Sequence, residues 1–183
     1  AHALESEYHG EKIGNIGHFT SFSFYATKNI TTGEGGMLTT NDDQSADKLR
    51  ILSLHGLSKN AWKRYGKDGY QHWELLMAGY KYNMFDIQAS LGIHQIKKVE
   101  SFLNRRLQIV KKYNDAFEGI NEIQLLKQKS NIKHAHHLYV IIIKTELLKV
   151  SRDVILTEIQ KRGVGVAVHF RCLHLQPFFK QHF

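Results

Sequence analysis

One lysine lies between an alternating apolar segment and three closely spaced glycines. The apolar segment is residues 19–24, the lysine is Lys28, and the glycines are Gly33, Gly35 and Gly36. A lysine amine can form a Schiff base with a carbonyl carbon in its neutral form, which burial or a nearby cation favours. The five residues before Lys28 include no acid, which suits this chemistry. A solvated turn lysine is the commoner interpretation of such a pattern, and the pattern alone leaves both open.

Other chemistries have less support. Neither G-x-x-x-x-G-K-[ST] nor G-x-G-x-x-G, the common phosphate-binding motifs, occurs. His134, His136 and His137 are close in sequence, but no cysteine accompanies them and no H-E-x-x-H motif is present, so we predict no metal site. Cys172 is the only cysteine, which excludes an internal disulfide and favours a reducing compartment. A lone cysteine is more typical of a small buried side chain than of a catalytic thiol.

The composition indicates a folded, basic protein. Hydrophobic residues make up 42% of the 183, enough for a substantial core, and the formal net charge is +8. A positive charge suits nucleic acid or an anionic small substrate. The charge is scattered in pairs, such as Lys97 with Lys98 and Arg105 with Arg106, without a nucleic-acid-binding motif. Such pairs are typical of solvated helix faces, so we predict no nucleic-acid partner.

We also predict no membrane segment. The longest apolar run, residues 138–143, is far shorter than the about 20 residues that a membrane-spanning helix needs. The first residues lack a basic leader and an apolar core, so they do not resemble a secretory signal peptide. Together with the reducing compartment that Cys172 favours, this predicts a cytoplasmic protein.

The elements that must position Lys28 are two strands, predicted at residues 19–24 and 37–40. A helix follows, with Asn41 as its predicted N-cap. Residues 55–82 then predict a long excursion. The aromatic residues that favour an ordered conformation there are Trp62, Tyr65, Tyr70 and Trp73.

Two further helices are predicted in the middle of the chain. The first starts at Asn83 as its N-cap and reaches Lys98; the second is amphipathic, extends to Phe117 and ends at Gly119. After residue 120 the pattern predicts a strand, a helix and a strand, at residues 137–144, 151–162 and 164–170. Strand, helix and strand in this order indicate a small α/β domain.

Three separated motifs carry a resemblance to a known family. Residues 23–36 around Lys28, residues 79–89 around Asn83, and residues 168–177 resemble, in that order, motifs of the DegT/StrS family. These proteins are nucleotide-sugar aminotransferases that depend on pyridoxal phosphate. They have the type I fold of aspartate aminotransferase. The resemblance covers essentially the whole chain.

The resemblance implies an α/β fold in two parts. Residues 1–118 correspond to the C-terminal part of the large cofactor-binding domain, a mixed and mostly parallel sheet with helices, including the interdomain helix. Residues 119–183 correspond to the start of the small C-terminal domain. We therefore expect the chain to be a segment of a longer protein. The family places an Asp, which pairs with the cofactor's ring nitrogen, two residues before Ala1.

The resemblance also implies roles for five residues. Lys28 matches the lysine that binds the cofactor as a Schiff base, and Ser23 matches a serine on the cofactor phosphate. His2 falls beside the cofactor ring. Asn83 matches an asparagine that reaches the phosphate in the neighbouring subunit, which implies a homodimer with shared active sites. His169 is a possible substrate contact. On the residues alone, Ser23 could be a core hydroxyl, Asn83 simply a helix cap, and His169 a buried histidine.

The implied reaction is amino transfer, with glutamate as donor and the 4-keto position of a nucleotide-linked sugar as acceptor. Such reactions belong to surface-polysaccharide, lipopolysaccharide or amino-sugar biosynthesis. A dehydratase branch of the family has histidine in place of the lysine, so Lys28 favours transamination. The alternative function is a non-catalytic relative that binds polyanions or nucleic acid through its basic surface. We expect the segment alone to be inactive.

Overall fold

The computed structural model describes residues 1–58 and 72–182, which form two compact units. The first unit comprises residues 1–116 and 127–139, and the second comprises residues 117–126 and 140–183. The predicted division at residue 118 stays a prediction. The units differ from it in one respect, because residues 127–139 group with the first unit. Trp62, Tyr65 and Tyr70 of the predicted ordered excursion lie outside the described residues.

The described elements mix strands and helices. In chain order they are β1 Glu7–Tyr8, β2 Glu11–Lys12, β3 Thr20–Ser23, β4 Gly36–Thr39, α1 Asp43–Ser53, α2 Asp86–Ile96, α3 Val99–Phe117, β5 Ile123–Leu125, β6 Ile132–Lys133, β7 Ile141–Ile143, α4 Thr145–Leu148, α5 Arg152–Lys161, a 3-10 turn Leu173–Leu175 and α6 Pro177–His182. The strand pairs that the structure describes are antiparallel.

Two small sheets belong to the first unit. Strands β3 and β4 pair with Ser21 opposite Leu38 and Ser23 opposite Gly36, which confirms the two strands predicted around Lys28. The second sheet has the order β2-β1-β6. Its pairing brings the start of the chain next to residues 132–133.

Glu7 and two lysines stabilise this second sheet. The Glu7 carboxylate lies 3.1 Å from the Nζ atoms of both Lys133 and Lys12. The hydrogen bond from Lys133, followed by that from Lys12, lowers the pKa of Glu7. The ion pair with Lys133 therefore joins two strands whose paired residues are 126 positions apart in sequence.

Few side chains are fully buried, and those described lie in the first unit. The apolar ones are Phe24, Ile30, Leu103 and Ala135. Leu103 comes from α3, whose apolar residues recur at helical spacing as the sequence predicted. Glu5 and Thr32 are the buried polar side chains. A buried carboxylate needs charged or hydrogen-bonding partners, and Glu5 has both.

Two glycines allow the backbone to cross itself before α2. A Cβ on Gly79 would lie 2.1 Å from the Gly56 nitrogen, closer than real contacts allow. Around this crossing, the Tyr80 N–H donates to the Leu52 carbonyl at 2.7 Å, and the His55 N–H donates to the Tyr80 carbonyl at 2.8 Å. The crossing fixes the segment that leads to Asn83.

Two helix starts differ from the prediction. The N-cap of α1 is Asp42, whose carboxylate accepts from the Ser45 N–H at 2.9 Å, whereas Asn41 donates to the Asn15 carbonyl. The hydrogen bond from the Ser45 side chain, followed by that from the Ser45 N–H, lowers the pKa of Asp42. Helix α2 has Phe85 as its N-cap, without a side-chain cap bond, so the prediction that Asn83 caps it was wrong.

The second unit contains β5 and β7, which pair with Ile123 opposite Ile143. Helix α5 has Ser151 as its N-cap, accepting from the Val154 N–H at 3.3 Å, as predicted. The strand predicted at residues 137–144 is limited to β7. The strand predicted at 164–170 is not formed, because no strand among the described residues pairs with it; an apolar β-branched run needs such a partner.

Two observations concern the remaining predictions. Cys172 is exposed, so its prediction as a buried residue was wrong. Within the described residues, no helix has the length and apolar character to cross a membrane.

Candidate active site

The loop that carries Lys28 is fixed at both ends by buried side chains. It leaves β3 at Phe24 and turns back toward β4, and the Lys28 N–H donates to the Tyr25 carbonyl at 2.9 Å. Phe24 is 7% exposed and Ile30 is 3% exposed. Lys28 is therefore held on a short loop between two core residues. It is a half-buried residue, not a freely solvated turn lysine.

The polar residues after Ile30 explain the glycines. The Thr32 N–H donates to the Phe24 carbonyl at 2.9 Å, and the Thr32 hydroxyl donates to the Glu34 carbonyl at 2.6 Å. Gly35 has φ +144, and a Cβ there would lie 2.6 Å from the Thr32 hydroxyl oxygen. A side chain at position 35 would open this turn. The glycine thus shapes the loop that presents Lys28.

The Lys28 amine contacts an imidazole. Its Nζ atom lies 2.7 Å from His2 Nε2, a hydrogen-bond distance. A carboxylate neighbour would favour the ammonium form, but none of the described residues forms an ion pair with Lys28. The side-chain contact that the structure describes for the Lys28 amine is with this imidazole.

His2 is held in place by a second imidazole. Its ring stacks on that of His137, with centroids 4.2 Å apart and planes inclined by 25°. The sequence analysis considered a functional role for His137 only as a metal ligand. No cluster of metal-ligating side chains occurs within the part of the chain that the structure describes. Nothing in the sequence pattern indicated the contact with His2, since the two residues are far apart in the chain.

Ser23 lies at the end of β3, on the strand that leads into the Lys28 loop. Its hydroxyl oxygen accepts a long bond, 3.4 Å, from the Tyr25 N–H. No described residue accepts a hydrogen bond from this hydroxyl. Ser23 is half-buried, so its hydroxyl proton can be donated to an anion beside the loop.

Asn83 lies three residues before the first residue of α2, and its side chain contacts that of Lys81. The Lys81 amine donates to the amide oxygen of Asn83, and the amide nitrogen donates weakly, at 3.4 Å, to the Met84 carbonyl. Lys81 therefore adds a positive charge beside Asn83. The sequence analysis missed this lysine, although its spacing of two residues from Asn83 was visible in the motif.

His169 lies in the second unit and is exposed, with its ring 4.4 Å from that of Phe170. The alternative that it is a buried histidine was wrong. The structure brings together Lys28 and His2, and it places Ser23 on the strand next to them. The contacts described for the Asn83 side chain are with Lys81 and Met84.

The first unit's residues fit pyridoxal phosphate. The cofactor requires a lysine amine for its aldehyde, donors for its phosphate, and contacts for its ring. Lys28 has no described carboxylate partner, the Ser23 hydroxyl has a free proton to donate, and His2 presents an oriented ring next to the amine. Ser23 and Lys28 come from one short segment, and His2 comes from the start of the chain.

Comparison with known proteins identifies the family. The model of the DegT/DnrJ/EryC1/StrS aminotransferase family matches residues 1–183. Among curated relatives, the uncharacterized protein MJ1066 of Methanocaldococcus jannaschii is 52% identical over 183 residues. SpsC of Bacillus subtilis, a spore coat polysaccharide biosynthesis protein, is 44% identical over 184 residues. In both cases all of this chain is covered, but only 47% of the relative. The chain spans about half the length of the curated relatives it matches.

Solved structures give the same result. Spr1654 of Streptococcus pneumoniae, described as a sugar aminotransferase and solved in PLP and PMP forms, matches with a TM-score of 0.83 at 35–36% identity, over 100% of this chain and 45% of that one. PseC of Helicobacter pylori, an aminotransferase in pseudoaminic acid biosynthesis, matches with a TM-score of 0.87 at 29% identity, over 100% and 47%.

The chain matches part of these type I fold structures with its mixed strands and helices, which confirms the predicted fold class. The chain belongs to the DegT/DnrJ/EryC1/StrS aminotransferase family. Aminotransferases of this family use pyridoxal phosphate.

Proposed function

We propose that the full-length protein is a pyridoxal-phosphate-dependent aminotransferase acting on a nucleotide-linked keto-sugar. The observation that carries this proposal is the half-buried Lys28 amine, which contacts His2 and has no carboxylate partner among the described residues. Membership of the sugar aminotransferase family supports it. The printed functions of SpsC and PseC, in polysaccharide and pseudoaminic acid biosynthesis, support a sugar acceptor.

Lys28 performs two tasks in this proposal. Its amine would hold the cofactor through the cofactor's aldehyde, and the same amine would serve as the base that moves a proton at the substrate carbon. When bound, the cofactor supplies the electron sink. His2 lies within hydrogen-bond distance of the Lys28 amine and positions it, while stacking on His137 restricts the His2 ring.

Ser23 holds the phosphate in this proposal. Its hydroxyl lies at the end of β3 and donates to a phosphate oxygen, an arrangement that fixes the cofactor relative to the Lys28 loop. Because the strand pairing with β4 orients Ser23, the phosphate contact and the covalent contact come from one rigid segment. This rigidity lets the cofactor keep a defined angle to Lys28.

The proposed enzyme is a homodimer with shared sites. Asn83, next to the positive charge of Lys81, donates its amide to the phosphate of the partner's cofactor. Asn83→Ala is then expected to weaken cofactor retention. Mixing Asn83→Ala with Lys28→Ala subunits should produce hybrid dimers with one intact site and partial activity. If activity in the mixture equals the sum of the separate variants, each site is built from a single chain.

His169 is proposed as a substrate contact. Its exposed imidazole is available to donate to a sugar hydroxyl or a diphosphate oxygen. His169→Asn keeps a donor and is expected to alter KM for the sugar more than kcat. An unchanged KM for every sugar would remove His169 from the site.

We propose glutamate as donor, the 4-keto position as acceptor, and a cytoplasmic reaction that supplies amino-sugars for surface polysaccharide or lipopolysaccharide. Retention of Lys28 favours transamination over dehydration. The net charge of +8 supports an anionic nucleotide-sugar as well as it supports nucleic acid. Family membership and the Lys28 loop favour the enzyme.

The test uses the full-length protein with pyridoxal phosphate, glutamate and a panel of nucleotide-linked 3-keto and 4-keto sugars. We expect release of 2-oxoglutarate and a sugar product whose mass shows that a carbonyl oxygen has been replaced by an amino group. Lys28→Ala should abolish both. Amination of only the 3-keto sugars would correct the position, whereas salt-dependent DNA binding without amination of any sugar would support the non-catalytic alternative.

A further inference from the structure

A buried polar cluster includes Asn29, the residue that follows Lys28. Glu5 is 1% exposed. One of its carboxylate oxygens accepts from the Asn29 amide at 2.6 Å, and the other accepts from the Arg106 guanidinium. We propose that Glu5 is a positioning residue for Lys28, which it holds through Asn29. This proposal rests on the proposed role of Lys28.

Glu5 links Lys28 to the long helix. Arg106 belongs to α3, 101 residues from Glu5 in sequence, and its Nε atom also donates to the Ala135 carbonyl at 3.0 Å. The ion pair compensates for the desolvation of a buried carboxylate. It therefore anchors Glu5 to the most extended element of the first unit and leaves the second oxygen for Asn29.

Asn29 depends on Glu5 for its orientation. The amide nitrogen of Asn29 donates to Glu5, while its amide oxygen is buried without a hydrogen-bond partner among the described residues. The side chain of Asn29 is thus held from one end only. Because Asn29 directly follows Lys28, and neighbouring Cα atoms are about 3.8 Å apart, a shift of the Asn29 backbone also moves the attachment point of the Lys28 side chain.

The same cluster connects the backbone segments of all three residues at the amine. His2 is three residues before Glu5, Lys28 is one residue before Asn29, and His137 is two residues after Ala135. The Ala135 N–H also donates to the Ser6 hydroxyl at 3.1 Å, which joins residue 135 to the residue that follows Glu5. The cluster therefore fixes the relative positions of the segments that bring His2, Lys28 and His137 together.

The competing explanation is that the ion pair between Glu5 and Arg106 only stabilises the fold. The two explanations can be distinguished because one Glu5 oxygen contacts Asn29 and the other contacts Arg106. Asn29→Ala removes the contact toward Lys28 and leaves the ion pair with Arg106 intact. Replacing both Glu5 and Arg106 by Leu removes the ion pair without leaving a buried charge, a change that is often neutral for stability. The matched control is Asp115→Asn, which breaks the exposed ion pair with Lys111 on the same helix.

The experiment measures three quantities in the full-length protein: the melting temperature, the rate at which added pyridoxal phosphate becomes fixed to Lys28 on borohydride reduction, and the reductive methylation of Lys28 relative to the exposed Lys97 without cofactor. We expect Asn29→Ala to slow fixation about tenfold, because misplaced reacting groups lose rate steeply. Its melting temperature should fall below that of the Asp115→Asn control, because the buried Glu5 carboxylate loses one donor, and its methylation ratio should differ from the wild type.

The double Leu variant should recover the melting temperature but not the fixation rate. If it recovers both, or if Asn29→Ala fixes the cofactor at the wild-type rate, the cluster is only structural and the proposal is wrong. If the wild type itself fixes no cofactor on Lys28, the proposed function fails, but the methylation ratio still decides whether the cluster positions Lys28. An unchanged ratio in Asn29→Ala would then overturn this inference too. Asn29→Ala keeps the ion pair, so the test does not depend on the folding of Glu5 variants.

Discussion

The two units of the chain differ in what they bury. Among its described residues, the first unit buries four apolar side chains together with the carboxylate of Glu5. In the second unit, no residue is buried within residues 117–126 and 140–182. The first unit therefore combines its core with the polar cluster proposed to position Lys28. In the second unit, the described stabilising contacts include local ones such as the Ser151 cap of α5. The proposed cofactor-binding lysine and the described buried side chains therefore lie in the same unit.

The comparison predicts the largest effect at Leu103, which is 1% exposed. Leu103→Ala removes buried methyl groups and leaves a cavity, so we expect a loss of about 3 kcal/mol or more in the free energy of unfolding. Leu147 of the second unit is 52% exposed, and Leu147→Ala should cost within about 1 kcal/mol. Urea unfolding of the full-length protein measures both; equal losses would contradict the difference between the units.

The glycines sharpen the same contrast. Gly79→Ala places a Cβ 2.1 Å from the Gly56 nitrogen, whereas a Cβ on Gly165 in the second unit meets nothing within 4 Å. Because backbone atoms cannot yield as a flexible side chain does, Gly79→Ala should cost about 3 kcal/mol. Gly165→Ala should change stability by no more than about 0.5 kcal/mol. Thermal unfolding measures both changes in stability. A Gly79→Ala variant as stable as the wild type would contradict the close approach of Gly79 to Gly56.

Helix caps should have similar effects in the two units, because a cap stabilises only the first turn of its own helix. Asp42 caps α1 in the first unit, and Ser151 caps α5 in the second. We expect Asp42→Ala and Ser151→Ala each to cost about 1 kcal/mol. Amide hydrogen exchange of peptides from α1 and α5 measures the local effect. A loss confined to α1 would mean that Ser151 contributes nothing as a cap.

The smallest expected effect is a pH dependence. Burial, followed by the positive charges of His134 and Arg106, lowers the pKa of His136 below its usual 6.5. The unfolded chain then binds the proton more tightly than the folded chain. The stability that depends on neutral His136 is therefore fully present above pH about 6.5 and is lost as the pH falls.

His136→Asn tests this and tolerates the left-handed backbone at this position, where φ is +47. It should flatten the fall of the melting temperature below pH 6.5, the usual value of the His136 pKa. The exposed His174 of the second unit serves as the control, and His174→Asn should leave the profile unchanged. A profile that is equally steep in the His136→Asn variant would contradict the assignment.

The sequence predicted what depends on neighbouring residues. The strands around Lys28, the Ser151 cap and the amphipathic α3 follow from local patterns, and the structure contains them. Residues 164–170 carry the same kind of local signal but lack a pairing strand among the described residues, so that prediction failed. Three separated motifs in the family's order were enough to identify the family.

The support of the site could not be predicted. Glu5 reaches Arg106 across 101 residues, and His2 reaches Lys28 across 26. Such contacts have no periodicity to detect, since they depend on how α3 and the segment at 132–137 pack on the start of the chain. Asn83 illustrates the converse: its local pattern fits an N-cap, but its amide is engaged with Lys81 and Met84.

The central claim is that Lys28 is the amine that binds the cofactor. It is tested most directly by adding pyridoxal phosphate to the full-length protein, reducing with borohydride, and mapping the modified peptide by mass spectrometry. Our account predicts one modified lysine, Lys28, and loss of the visible absorbance of the bound cofactor in Lys28→Ala. Modification of another lysine, or none in a folded protein, would contradict it.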